Sequence, residues 1–128
     1  MSNNDIKLFF DIEPRGLHIT QDPHTGQSKI SYKTWTFRKG ILGLIKQQYF
    51  KDPVECRLSL EVIFNLKNKD HDKLMSTSRP DLDDLLANII KPMSGVVFQR
   101  TAQIQEMMVK KIYSKDEGYI MINLRKLD

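Results

Sequence analysis

The 128-residue sequence predicts an α+β fold, a mixed β-sheet packed with two helices in the order β-α-β-α-β-β. Three observations carry that prediction. A strict two-residue alternation runs from Val54 to Leu66, an apolar stripe at helical spacing runs from Leu82 to Met93, and two apolar-rich runs follow it. The alternation marks a strand that covers a core on one side, and the stripe marks an amphipathic helix. Helices on one face of one sheet follow from those two patterns. No repeat, low-complexity tract or linker interrupts the chain, so residues 1–128 are expected to form a single domain.

Taken in order, residues 6–12 (IKLFFDI) read as a first strand closed by Pro14. Residues 14–28 carry Pro14, Gly16, Pro23 and Gly26 among polar residues and read as a long loop. Over residues 32–50 the period becomes helical, with Trp35, Leu42, Ile45 and Tyr49 recurring beside Ile41 and Leu44. Gly40 and Gly43 soften the middle of this helix, and Pro53 ends it. In the strand that follows, Val54, Cys56, Leu58, Leu60, Val62, Phe64 and Leu66 share one face. Residues 65–79 are polar, charged and aperiodic, hence a second long loop.

Pro80 and Asp81 then open a helix whose stripe is Leu82, Leu85, Leu86, Ile89, Ile90 and Met93, with Pro92 and Gly95 closing it. Residues 102–113 are expected as a strand with both faces partly covered, 114–118 as a turn and 119–124 as the last strand. Their proximity predicts an antiparallel hairpin.

Composition excludes several function classes. The lone Cys56 cannot form an intrachain disulfide, which favours a reducing, cytoplasmic setting. No apolar run nears the ~18 residues of a membrane span, and the opening MSNNDIKLFFDIEP lacks the pattern of a signal peptide. Twenty Lys and Arg against 16 Asp and Glu give a net charge of +4, a mild lean towards anionic partners. His18, His24 and His71 lack metal-ligand spacing, and no GxxxxGKS/T or GxGxxG is present, so no small-molecule cofactor is expected.

The segment Arg79-Pro80-Asp81-Leu82-Asp83-Asp84-Leu85-Leu86 remains. Its acids have an ordinary reading as the cap and first turn of a helix, where carboxylates meet unpaired N–H groups and the positive end of the dipole. They also have a sharper one. Residues i and i+2 of a regular helix point to opposite sides, so Asp81 and Asp83 can share a cation only if Asp81 stays in an extended lead-in. Two carboxylates, waters and substrate phosphates are the usual holders of Mg²⁺, which suits phosphodiester hydrolysis.

At this point the chain resembles the RusA-type Holliday junction resolvases. The resemblance runs from Arg79 to about Leu124 and rests on RPDLDDL, SGVVF, TAQI and KKIYS in the family's order and spacing. It implies a RusA-like α+β homodimer that cuts branched DNA, four-way junctions above all, in recombination and repair with Mg²⁺ or Mn²⁺. Asp81 and Asp83 take the places of the family's metal-binding, catalytic acids, and Asp84 stands where the family has Asn. Two positions depart from the pattern. The family's catalytic Lys falls on Ala87, and its second acidic pair falls on Arg100 and Thr101. Asp84 or Glu106 would have to replace the missing acid, and Lys91 the missing cation.

Two function classes follow. One is a metal-dependent endonuclease with Lys67, Lys69, Lys73, Arg79, Lys110, Lys111 and Arg125 as phosphate contacts. The other is a branched-DNA-binding protein without cleavage activity or metal, in which Arg100 pairs with the aspartates. A protein–protein scaffold is a third reading, for which no residue names a partner.

Overall fold

The computed structural model describes residues 5–67 and 80–127. Its elements are β1 (Asp5–Phe10), β2 (Ile19–Gln21), β3 (Ser28–Ile30), α1 (Tyr32–Gln48), β4 (Leu58–Lys67), α2 (Leu82–Met93), β5 (Ile104–Ser114) and β6 (Tyr119–Lys126). The expected α+β architecture is present: a four-stranded mixed sheet in the order β1-β6-β4-β5, with both helices packed into its core. Among the described residues, no helix is long and apolar enough to cross a membrane.

β4 sits between two partners because its apolar face is the most continuous in the chain. Leu58, Leu60, Val62, Phe64 and Leu66 are all buried, and they meet Phe37, Ile41 and Ile45 of α1 and Leu85, Ile89 and Met93 of α2 in one core. β4 runs antiparallel to β6 and parallel to β5, and the parallel step requires a crossover that α2 supplies.

The antiparallel hairpin expected of the last two strands does not form, because β4 lies between them. The connection steps over the end of β4 and is held there by the buried Asn65. Its Nδ2 donates to Ser114 Oγ (3.1 Å) and to the Glu117 carbonyl (3.3 Å). Chain proximity favours a hairpin, but β4 has too much apolar surface to sit at an edge. β5 suits the edge: it is largely exposed rather than covered on both faces, and it carries Lys110 and Lys111. The opposite edge, at β1, is capped by Gln48, whose side-chain amide bonds both the N–H and the carbonyl of Phe9.

Smaller departures have local causes. The loop expected over 14–28 contains the β2–β3 ribbon, whose three-residue strands are too short to show a period. On α1 the buried row is Thr34, Phe37, Ile41 and Ile45, while Trp35 is 47% exposed. Ser31 sets this phase by accepting the Thr34 N–H at 3.2 Å. β4 begins at Leu58 and continues to Lys67, so 65–67 belong to the strand, and Val54 instead bridges Phe98. Pro92 lies within the last turn of α2 rather than beyond it, and Gly95, at φ 89°, makes the turn that follows.

Candidate metal centre and its surroundings

α2 starts from an extended residue. Asp81 has φ −78° and ψ 152°, its carbonyl accepts the Leu85 N–H at 3.1 Å, and its side chain makes no capping hydrogen bond. This is the geometry that brings residues i and i+2 together. Carboxylate oxygens of Asp81, Asp83 and Asp84 all lie within 4.8 Å of one another. Asp81 and Asp83 are exposed and Asp84 is half-buried, so the cluster opens to solvent. Three hard oxygen donors with room for waters fit Mg²⁺ or Mn²⁺ better than a softer ion.

The chain builds this corner from three directions. From the sheet, Lys111 on β5 reaches the lead-in, its Nζ 3.0 Å from the Pro80 carbonyl. From the N-terminal side, residues 14–18 form a strap across the first turns of α2. The Leu17 N–H donates to the Asp84 carbonyl at 3.1 Å, and Gly16 passes so close that a Cβ there would sit 3.0 Å from Pro80 Cβ.

From beneath, Asn88 fixes strap and helices together. Fully buried, it donates to the Arg15 carbonyl (2.9 Å) and accepts from Arg38 Nε on α1 (2.9 Å). Burial lowers the pKa of the Arg38 guanidinium from its ordinary value. Asn88, Arg38 and the strap are absent from the sequence reading. The signal for Asn88 was present: it is a polar residue three positions after Leu85 on the buried side of an otherwise apolar stripe.

The other sequence-predicted residues separate into groups. Lys69, Lys73 and Arg79 lie outside the described residues. Lys67 ends β4, with its ammonium 2.8 Å from Glu117 and its N–H directed at the Glu13 carboxylate. The hydrogen bond between them raises the pKa of Lys67 and lowers that of Glu117.

Lys110 shares a cross-strand position with Ile63 on the open face of the sheet, opposite to Lys111. Glu106 is on that open face too, paired with Arg125 at 3.2 Å, and is therefore not available to the aspartates. Ala87 stands one turn above Asp83, and Lys91, exposed, one turn further.

Arg100 and Thr101 are at the other end of α2. Phe98 bridges Ser94 just beyond the helix, about 20 Å along the axis from Asp81 at 1.5 Å per residue. Among the described residues Arg100 forms no ion pair with the aspartates, so the expected Arg–Asp cluster is not assembled within the chain. The TAQI segment has a different local role. Gln103 accepts the N–H groups of Gln99 and Arg100 (2.8 Å each) and donates to the carbonyls of Val54 and Cys56 (2.9 and 2.8 Å).

Residues 15–125 match the family described as Endodeoxyribonuclease RusA. The chain belongs to the RusA family. That match takes in the strap, α1, β4, the acidic start of α2 and the last two strands, so it covers most of the chain rather than the acidic segment alone. No curated protein matches the chain. The RusA family is one of endodeoxyribonucleases, enzymes that cut DNA.

Proposed function

We propose that the chain is a metal-dependent endonuclease that cuts branched DNA, four-way junctions above all, and works as a homodimer in recombination and repair. One observation carries the catalytic part: the convergence of Asp81, Asp83 and Asp84 on the solvent side of α2. Asp81 and Asp83 would hold the Mg²⁺ or Mn²⁺, and Asp84 supports them as the third carboxylate. A bound cation would supply charge neutralisation at the scissile phosphate and a more acidic water.

The remaining residues prepare that corner. Lys111 and Asn88 fix the two sides of the helix start, so the carboxylates are held in place before DNA arrives. The three acids repel one another, and a cation relieves that repulsion. Lys67, Lys69, Lys73, Arg79, Lys110 and Lys111 are proposed as phosphate contacts. They would act through charge and counterion release rather than base reading.

A second reading, DNA binding without cleavage, is favoured by Ala87, which puts a methyl group where the family has Lys. The test is a synthetic four-way junction incubated with Mg²⁺ or Mn²⁺, beside Asp81→Asn and Asp83→Asn. We expect paired incisions that either substitution lowers by more than about a hundredfold, with junction binding retained. Binding without incision at any metal concentration selects the second reading.

A further inference from the structure

Beside the aspartates lies a cleft that the metal centre does not use. Its first chamber, about 520 Å³, is an open depression bordered by the strap and the start of α1. Arg15, His18 and Lys33 are on one side, Asp84 and Pro80 on the other. A second chamber of about 390 Å³ adjoins it and is lined by Tyr32, while Arg15, Lys33 and Phe37 line both. Each volume is in the range of sites that hold a small organic group.

The chemistry changes along this path. At the Asp84 end the wall is acidic. Arg15 and Lys33 line both chambers, and a guanidinium with an ammonium suits a phosphodiester. Beyond them the wall is aromatic. Tyr32 is 78% exposed, and its ring stacks on Trp35 with centroids 6.0 Å apart and planes inclined by 28°. Lys39 Nζ lies 4.5 Å from the Trp35 ring centroid, which holds that ring from the far side of the helix turn. An aromatic ring so exposed adds nothing to the core, yet it is held in a fixed orientation.

We propose that the cleft takes an unpaired nucleotide of the DNA strand that leads to the aspartates. Arg15 and Lys33 hold its phosphate, and Tyr32 stacks on its base. This rests on the DNA-cutting reading above and narrows its substrate to branched DNA with an unstacked residue at the branch. A base inside a duplex has both faces covered by its neighbours and offers none to Tyr32, whereas an unpaired base does. The phosphate chamber lies next to Asp84, so the nucleotide so held is close to the bond to be cut.

Trp35 is the sole tryptophan in the chain, and its fluorescence reports on the cleft through the Tyr32 ring stacked on it. The full chain, free of divalent metal, is titrated with a short oligothymidylate, a blunt linear duplex and a four-way junction. The oligothymidylate should change Trp35 fluorescence saturably. Tyr32→Ala should weaken its binding about tenfold, the usual loss when a stacking aromatic is removed, and Tyr32→Phe should restore it. Arg15→Ala with Lys33→Ala should weaken it too and flatten the salt dependence, while duplex affinity changes little.

Arg15 is tied to Asn88 through its carbonyl, so truncating its side chain leaves the strap anchored. A thermal melt checks this. Unchanged oligothymidylate binding in these variants, with junction binding intact in the parent chain, overturns the inference and leaves the endonuclease reading standing. Failure of the parent chain to bind any of the three DNAs at low salt overturns both. If Tyr32→Ala alters only the sedimentation of the protein, the cleft belongs to a second copy and the inference falls.

Discussion

Asp81 divides its labour: its backbone starts α2 while its carboxylate turns away from the helix and towards Asp83 and Asp84. That much was legible in the sequence, because sharing between i and i+2 demands an extended residue before the helix, and Pro80 supplies a suitable lead-in. Asn88 was not, since a single polar residue in a stripe does not announce its partners. Asn88→Ala should cost about 2–4 kcal/mol in urea denaturation, from the part-buried Arg15 carbonyl and the Arg38 guanidinium losing their partner together, and should loosen the strap enough to weaken junction binding.

The pair Lys67–Glu117 gives a pH signature of known sign. The pKa of Glu117 is lowered from 4.5, so its contribution is present above that value and lost as pH falls through the lower one. The pKa of Lys67 is raised from 10.5, so its part is present below that value and lost as pH rises past the higher one. Both groups are exposed and the effect is small. The stability difference between the chain and Glu117→Gln should stay constant through neutral pH and vanish in acid.

Among the elements, β4 and α2 were readable because each repeats its period over ten or more residues and buries the face that the period marks. The place of β5 was not, because strand neighbours are set by how much apolar surface each strand must cover, not by proximity along the chain. The same step over β4 explains one correction, the missing hairpin, while Lys110 and Lys111 fall on opposite faces as neighbours in any strand do. Gly118 is where that connection is tightest. A side chain there would overlap the Glu13 carboxylate and press on the Asn65 carbonyl, 2.9 Å from the added carbon. Gly118→Ala should therefore destabilise by about 1–3 kcal/mol in a denaturant melt, as overfilled sites do, with the metal cluster unchanged.

For the whole molecule, the open face of the sheet carries Phe9, Met121 and Ile63 in one cross-strand row, with Met108 and Ile112 beside it. Phe9, Met108, Ile112 and Met121 are each more than 40% exposed. The proposed homodimer would meet on this face, since a row crossing the strands can pair with its own copy about a two-fold axis. Met121→Glu should shift sedimentation to the monomer and reduce paired incisions to single nicks. The strand order carries one more consequence, for the timing of activity during synthesis. Asp5 pairs with Arg125 and Leu58 with Lys126, so both β1 and β4 wait for the last strand of the described chain. A nascent chain without β6 exposes one edge of its central strand and has no finished sheet beneath α2. On the ribosome, the corner that carries the aspartates is therefore assembled only once β6 has been made.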